Sequence, residues 1–251
     1  MSGEKKGLAT RQVEAEILDH LAENDPRAIA SRGDLRRVNI LMGQPGITAG
    51  LLKANVKQPP KRLLEIGSGD GTFMLRVARK LARGWPGVEV TLLDRQDLVA
   101  EECYRGFDAL GWGLKVVKAD IFEWLDRPRG DGAESGTFDA VSTNLFLHHF
   151  EDAPLARLLQ GLARRAPVFI ATEPLRARFP LLASSMLRVV GANDVTRNDA
   201  PASVRAGFRG REISALWPAV PGFRLEERRR GLFTHVFTVS PGNDDVARPV
   251  R

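Results

Sequence analysis

The chain has 251 residues, of which 43% are hydrophobic and 27% are charged, so the sequence predicts a globular protein with one sizeable α/β domain. No apolar run approaches the roughly 20 residues of a membrane helix, and no signal peptide is recognisable, which argues against a membrane or secreted protein. The single cysteine, Cys103, excludes an internal disulfide and favours a cytoplasmic location.

A net charge of +6 leaves nucleic acid, an anionic surface or an acidic substrate open as partners. The arginines are scattered apart from a run at 228–230, and few aromatic residues lie among them to stack on bases. We therefore expect solvated surface arginines and no nucleic-acid partner.

Residues 1–60 are predicted to form a helical segment ahead of the main domain. Apolar residues recur at helical spacing over 13–21, 35–41 and 47–56. Such a segment either covers the open side of a ligand site or packs against the sheet without a functional role. The sequence leaves both interpretations open.

A strand, a glycine turn and a helix follow one another over residues 63–81. Gly67, Gly69 and Gly71 alternate with other residues and let the backbone approach a ligand closely. The helix after the turn presents its positive end to that ligand. A dinucleotide fingerprint requires G-x-G-x-x-G, but Thr72 takes the last position. We predict a nucleotide-type site of another kind, with a ligand-free turn as the alternative.

Acidic residues follow the next two predicted strands. The second strand, residues 88–94, ends at Asp94. An acid there is well placed to accept hydrogen bonds from both ribose hydroxyls of a nucleoside. The third strand, residues 114–119, is followed by Asp120. These positions favour a nucleoside-containing ligand without choosing among its kinds.

Two histidines lie between the fourth strand, residues 138–144, and the next helix. That helix is predicted with Asp152 as its N-cap, and His148 and His149 fall between the two elements. Ligands of open α/β sheets bind at this edge of the sheet. A histidine that only lines the pocket or caps the helix is the alternative to a catalytic role.

The remaining elements are predicted from composition and periodicity. In chain order they are a polar loop at 127–136, a fifth strand at 167–174, a lid insertion at about 175–200 with an apolar helix at 181–190 and a polar turn at 193–199, a helix at 203–216, a hairpin of strands 223–230 and 232–239, and a polar tail at 241–251.

The pattern E-x-G-x-G-x-G at 65–71, with the acids that follow it, resembles motif I and the strand ends of class I S-adenosylmethionine-dependent methyltransferases. The resemblance implies a domain over 61–240 with a Rossmann-like, doubly wound, seven-stranded sheet and a closing antiparallel hairpin. It implies S-adenosyl-L-methionine as cofactor, with Asp120 accepting from the adenine amino group and Ile121 packing on the ring. The cofactor-binding residues that it implies are Glu65, Gly67, Ser68, Gly69, Gly71, Asp94, Arg95, Asp120, Ile121 and Asn144.

Residues 147–152 resemble the His-Asp-Trp-x-Asp motif of small-molecule O-methyltransferases, with His149 in place of the family's first Asp. The resemblance implies that His148 is the catalytic base and that Glu173, on a neighbouring strand, orients it. It further implies a small, largely apolar acceptor with a hydroxyl group, of the phenol or polyketide type. We expect no metal ion at this site, and the oligomeric state stays open.

Three other functions remain open from the sequence. RNA or protein methylation has only the basic charge in its support. A nicotinamide-dependent oxidoreductase needs the glycine that Thr72 replaces. A protein that holds the cofactor without turnover would carry the same binding motifs.

Overall fold

The computed structural model describes residues 8–127, 137–188 and 191–242. The loop predicted at 127–136 and the tail predicted at 241–251 therefore lie almost entirely outside the described residues. Among the helices that are described, none combines the length and the apolar character needed to cross a membrane.

One seven-stranded sheet organises the described residues. Its strands are β1 (Arg62–Ile66), β2 (Glu89–Asp94), β3 (Gly113–Lys118), β4 (Ala140–Asn144), β5 (Val168–Pro174), β6 (Phe223–Arg230) and β7 (Thr234–Pro241). Their order across the sheet is β3-β2-β1-β4-β5-β7-β6. The first five strands are parallel, and β7 runs antiparallel to both β5 and β6. The predicted doubly wound sheet with a closing hairpin is confirmed.

The strand order reverses between β1 and β4, which are neighbours in the sheet. Open α/β sheets bind their ligands in the crevice at such a reversal, at the carboxyl ends of the strands. The glycine turn follows β1 and the two histidines follow β4. The fold therefore brings both predicted motifs to the same crevice.

Helices cover both faces of the sheet. They are α1 (Pro26–Leu41), α2 (Gln44–Asn55), α3 (Thr72–Leu81), α4 (Glu101–Asp108), α5 (Ile121–Asp126), α6 (Asp152–Leu162), α7 (Arg178–Ser185), α8 (Asp194–Ala206) and α9 (Glu212–Leu216). One apolar layer joins α2, α3 and α4 to the sheet, and a second joins α5, α6 and α9 to its other face. Because both faces are covered, a central strand such as β5 is buried along its whole length.

The prediction of a helix over 13–21 is wrong, whereas the other two helices predicted before the domain are present as α1 and α2. The chain there is irregular except for a 3₁₀ turn at Leu18–His20. The backbone N–H groups of Ile17 and Leu18 donate to the Asp199 carboxylate of α8, at 3.0 Å each. A distant side chain therefore replaces the local hydrogen bonds that the apolar spacing suggested.

The polar turn predicted at 193–199 is also wrong, because these residues form the first half of α8. The Asn193 side chain accepts a hydrogen bond from the Thr196 N–H at 2.8 Å and caps the helix. Asparagine at an N-cap satisfies a backbone donor that the helix itself leaves free. The polar composition marked a helix start and not a turn.

The single helix predicted at 203–216 is divided into the end of α8 and the short α9. The division follows Ala206, where Gly207 packs against the Pro174 backbone so closely that a Cβ would collide with its carbonyl oxygen. The Phe208 N–H then donates to that carbonyl at 2.9 Å. A contact with the end of β5 therefore interrupts the helical pattern.

Candidate functional site

Three adjoining cavities lie along the crevice. The acidic cavity, of about 310 Å³, is lined by Asp94, Asp120 and their neighbours after β2 and β3. The central cavity, of about 210 Å³, lies over the glycine turn and reaches His148. The apolar cavity, of about 230 Å³, lies beyond it under α7 and α8. Leu145 lines all three cavities, so they adjoin one another at this residue.

The acidic cavity presents acceptors and one apolar wall. The Oδ2 atom of Asp94 accepts from the Gly69 N–H at 2.8 Å, which ties the glycine turn to the end of β2. Asp120 caps α5 through Oδ1, which accepts from the Phe122 N–H at 2.8 Å. The buried Ile121 side chain forms part of the same wall. Two carboxylates beside an apolar surface can bind a ribose and a flat base together.

The glycine turn needs glycine for two separate reasons. Gly67 has φ +68°, and a Cβ there would lie 2.5 Å from the Phe146 ring. Gly69 has φ +53°, while the space beside it is open. Backbone conformation therefore selects glycine at both positions, and the close approach of Phe146 selects it a second time at Gly67.

Nine of the ten residues predicted to bind the cofactor line the acidic or central cavity. They are Glu65, Gly67, Ser68, Gly69, Asp94, Arg95, Asp120, Ile121 and Asn144. Gly71 lies behind them, at φ +74°, where a Cβ would meet the side chains of Leu92 and Cys103. Its place in the structure is to start α3 and not to line the cavity.

Glu65 is a buried acid at the floor of the central cavity. Only 1% of the residue is exposed, and the Ser142 hydroxyl donates to its carboxyl group. Burial raises the pKa of Glu65 to about 8, against the smaller opposing effect of that hydrogen bond. The side chain is therefore a neutral acid at neutral pH, able to donate as well as accept a hydrogen bond.

His148 and Glu173 form a buried pair at the far wall of the central cavity. His148 lies on a 3₁₀ turn at Leu147–His149, and its Nδ1 is 2.8 Å from Oε2 of Glu173. The other oxygen, Oε1, accepts from the backbone N–H groups of Phe146 at 3.0 Å and Leu147 at 2.8 Å. The adjacency of β4 and β5 therefore produces the contact that the sequence suggested, while the catalytic role stays a prediction.

A strap formed by residues 11–25 crosses the crevice and brings two carboxylates that no motif predicted. The Oε1 atom of Glu16 lies 3.4 Å from Nε2 of His148, and the Ser203 hydroxyl donates to the same oxygen. Oδ2 of Asp19 lies 3.2 Å from Nδ1 of His149. Only the expectation that the N-terminal segment might cover the site anticipated them.

His148 is consequently held between two carboxylates. Burial alone would lower its pKa, but the hydrogen bonding and the negative charge of Glu16 and Glu173 together outweigh burial and raise the pKa of His148 to about 9. Burial would likewise raise the pKa of Glu16, yet the interactions with His148, His149 and Ser203 together outweigh that effect and lower it. Both directions describe an imidazolium ion bound to carboxylates. The two carboxylates therefore favour the protonated ring over the neutral one.

Arg11 fastens the strap to the domain. Its guanidinium donates to the Asp152 carboxylate at 2.9 Å and to the carbonyl oxygens of Phe150 at 2.8 Å and Ala206 at 3.0 Å. Asp152 is the first residue of α6 and is engaged by Arg11, whereas Glu151 is the N-cap, so the predicted cap was wrong by one residue. The strap is thus bound to the residues just after the histidines and to the end of α8.

Glu16, His148 and His149 offer ligand atoms that lie within 4.8 Å of one another. Among the described residues this is the one group of three such side chains close enough to share a metal ion. In the described arrangement Nε2 of His148 is engaged with Glu16 instead. The expectation of a site without metal stays a prediction.

The apolar cavity was predicted only in outline. Its lining residues are Leu35, Val38, Leu41, Met42, Leu145, Pro174, Pro180, Ala183, Ser184, Leu187, Ala200, Ser203, Val204 and Phe233. The lid insertion contributes to it as expected, but its Leu182 and Met186 are exposed and lie outside the lining. The contribution of α1 had no sequence signal beyond ordinary helical periodicity.

Comparisons with known proteins find a methyltransferase domain in part of the chain. Residues 63–166 match the family model of a methyltransferase domain. A protein-L-isoaspartate O-methyltransferase of Stenotrophomonas maltophilia (strain R551-3) is 28% identical over 127 residues, which are 51% of each chain. The matched region thus spans about half the length of the curated relatives.

Solved structures share the fold at low identity. The plantazolicin methyltransferase BpumL in complex with SAH superimposes with a TM-score of 0.59 at 12% identity, over 87% of this chain and 91% of that chain. An O-methyltransferase family protein from Burkholderia thailandensis gives a TM-score of 0.59 at 15% identity, over 96% and 68% of the two chains. These likenesses support the sheet and its helices and do not extend to the substrate.

Proposed function

We propose that this chain is a class I methyltransferase that transfers a methyl group from S-adenosylmethionine to a hydroxyl group of a small, largely apolar acceptor. The match of residues 63–166 to a methyltransferase domain supports this proposal. The observation that carries this proposal is the buried His148–Glu173 pair. Its His148 side chain lines the central cavity, which lies between the acidic cavity and the apolar one. The arrangement provides a place for a nucleoside, a place for an apolar body, and a base between them.

The acidic cavity suits the adenosine part of the cofactor. Asp94 and Asp120 offer carboxylate oxygens for the ribose hydroxyls and the adenine amino group, and Ile121 offers an apolar face. The central cavity, with Glu65 and Asn144 on its floor, has polar groups for the amino-acid part. A donor lying across both cavities would direct its methyl group toward the wall that holds His148.

The first prediction concerns this cofactor. Asp94→Ala should weaken binding of S-adenosylhomocysteine by about 1–3 kcal/mol, because the ribose hydroxyls lose their acceptor. The Gly69 N–H also loses its partner. Isothermal calorimetry on the full chain measures the change, and Asp97→Ala, an exposed position on the same loop, should bind as the wild type does. Binding of a nicotinamide dinucleotide with no affinity for S-adenosylmethionine would contradict the proposal.

The chemistry is a displacement in which the acceptor oxygen attacks the methyl carbon. The S–CH₃ bond breaks as the O–CH₃ bond forms, and the hydroxyl proton must leave. Holding oxygen and methyl in line supplies much of the rate. A phenol with a pKa near ~10 is mostly protonated at neutral pH, so a base that removes its proton should help. His148 is that base through Nε2, with Glu173 fixing Nδ1 and stabilising the resulting imidazolium.

The apolar cavity defines the acceptor. Leu35, Leu145 and Ser203 line both the apolar and the central cavity, so the acceptor's body and its hydroxyl group can occupy adjoining spaces. Carbon surfaces dominate the lining, and Ser184 and Ser203 are its two hydroxyl side chains. An uncharged aromatic or alkyl body fits this surface better than a charged one.

A second prediction follows from that cavity. Ala200→Phe should fill part of it and raise the KM for a phenolic acceptor by about tenfold or more, while affinity for S-adenosylhomocysteine stays unchanged. A panel of phenols with labelled S-adenosylmethionine measures the first quantity, and calorimetry measures the second. Ala109→Phe, an exposed position at the end of α4, is the matched control. An unchanged KM in Ala200→Phe would place the acceptor elsewhere.

Methylation of a protein carboxyl group is the second candidate, because the curated relatives are protein-L-isoaspartate O-methyltransferases. An isoaspartyl peptide would have to bring an anionic group into the site. The central cavity offers cations to such a group, because Arg32, Arg36 and His148 line it. The described lining of the apolar cavity has no charged side chain, so burial of the charge there is costly. Methyl transfer to an isoaspartyl peptide, with none to phenols, would favour this candidate over ours.

A further inference from the structure

The position of Glu16 bears on how the base works. Glu173 engages Nδ1 of His148, so Nε2 is the nitrogen left to take a proton from an acceptor. Oε1 of Glu16 lies 3.4 Å from that nitrogen, within the central cavity. An acceptor hydroxyl and the Glu16 carboxylate therefore compete for the same atom.

We propose that Glu16 is a positioning residue that holds His148 as an imidazolium ion until the acceptor hydroxyl displaces the Glu16 carboxylate. This inference rests on the proposed function, since it assigns Glu16 a part in the same base catalysis. As the acceptor displaces Glu16, the Nε2 proton passes to solvent and Glu16 stays a carboxylate. The neutral Nε2 then accepts the hydroxyl proton while the S–CH₃ bond breaks and the O–CH₃ bond forms.

Among the charged groups around His148, Glu16 determines whether the protonated or the neutral ring is favoured. Glu173 faces the ring from β5, Glu16 faces it from the strap, and His149 stacks beside it with ring centroids 4.3 Å apart. Asp19 of the strap binds His149, and the Arg11 guanidinium lies 3.5 Å from the His148 carbonyl oxygen. Without Glu16 a single carboxylate touches the ring, and burial then favours the neutral imidazole.

The contact between Glu16 and His148 lies next to the boundary between the apolar and central cavities, where the acceptor must bind. The Ser203 hydroxyl donates to Glu16, and Ser203 lines both the central and the apolar cavity. The strap backbone is fastened beside it, because Ile17 and Leu18 donate to Asp199. The side chain of Glu16, and not the whole strap, is therefore the part that needs to move.

Nuclear magnetic resonance tests the proposal directly. The pKa of His148 is measured in the full chain with S-adenosylhomocysteine bound, its signal being assigned by its loss in His148→Gln. Glu16→Gln should lower this pKa by at least about one unit, so that about tenfold more of the ring is neutral at pH 7. Glu16→Asp, which keeps the charge on a shorter side chain, should fall between the two. Glu14→Gln, the same change two residues earlier on the strap, should leave the pKa unchanged.

Kinetics with a phenol taken from the acceptor panel provide the second measurement. The pH profile of kcat/KM reports the free enzyme, and that of kcat reports the complex. In Glu16→Gln the acidic limb of kcat/KM should shift to lower pH, with about a tenfold gain at pH 7. The kcat profile should stay in place, because the acceptor has already displaced Glu16 in the complex.

An unchanged His148 pKa in Glu16→Gln would overturn the proposal, as would equal shifts of the kcat and kcat/KM profiles. If no phenol is methylated, the proposed function fails while the resonance measurement still decides the part played by Glu16. The two failures are therefore distinguishable.

Discussion

Replacement of His148 is expected to lower turnover of a phenolic acceptor by about 100- to 10,000-fold at neutral pH, the range that a general base contributes. Affinity for the cofactor should change little, because His148 lies at the wall away from Asp94 and Asp120. Activity should recover in part at high pH, where the phenol ionises without help. Single-turnover rates from pH 6 to 10, with calorimetry for the cofactor, measure these effects.

The choice of variant matters because His148 lies between two carboxylates. His148→Ala leaves Glu16 and Glu173 without their partner, and such losses can cost about 3–5 kcal/mol of stability. His148→Gln keeps a donor toward Glu173 and is the better test of the base. Full turnover of either variant at neutral pH would rule out the base and leave proximity as the source of catalysis.

Glu173→Gln should lower turnover in the same direction but by less, because the amide can still accept from the backbone of Phe146 and Leu147. His149→Gln serves as the control from the same turn. It should not reproduce the recovery at high pH if His148 alone is the base.

The sequence predicts which residues line the acidic and central cavities, because the signals for these residues are local. The glycine turn after β1 and the acidic residues after β2 and β3 can each be recognised from a few consecutive residues of the sequence. The parallel sheet then brings all three strand ends to one edge without further information. The sequence predicts the contact between His148 and Glu173 for the same reason, since this contact requires only that β4 and β5 be neighbours in the sheet.

The strap could not be predicted in this way. Glu16 and Asp19 precede the domain, and their partners His148, His149 and Ser203 lie far along the chain. The apolar residues of the strap suggested a helix, but the Asp199 carboxylate takes two of the backbone donors that a helix would use. Apolar periodicity indicates whether a segment can form its own helical hydrogen bonds. It contains no information about a side chain from α8 that accepts those backbone donors instead.

The same limit explains α8 itself. The sequence of its first half suggests a polar turn, because Asn193 and Asp194 favour turns and helix caps alike. Tertiary contacts decide between the two: the Asn193 N–H donates to Asp34 of α1 at 2.8 Å, and the Ser31 and Thr196 hydroxyls are 2.9 Å apart. These contacts join α1 to α8 and thereby form one side of the apolar cavity.

Glu65→Gln is expected to stabilise the protein strongly at alkaline pH. Burial raises the folded-state pKa of Glu65 from its usual 4.5 to about 8. Between these values the folded chain binds a proton that the unfolded chain has released, so this group's contribution to stability falls as pH rises, by about 1.4 kcal/mol per pH unit. Well above pH 8 the carboxylate is charged in both states and the loss no longer grows. Glutamine has no such titration and can still pair with Ser142.

The free energy of unfolding of Glu65→Gln should therefore exceed that of the wild type by about 3–5 kcal/mol at pH 8.5, with little difference near pH 4.5. Urea denaturation of both full chains across this range measures the difference, in which the titration of all other groups cancels. Glu123→Gln, an exposed glutamate on α5, should follow the wild type at every pH. Parallel curves for the wild type and Glu65→Gln would show that Glu65 is ionised in the folded protein. A charged Glu65 would then meet the amino group of the cofactor as a preformed carboxylate, whereas a neutral one must release its proton when the cofactor binds.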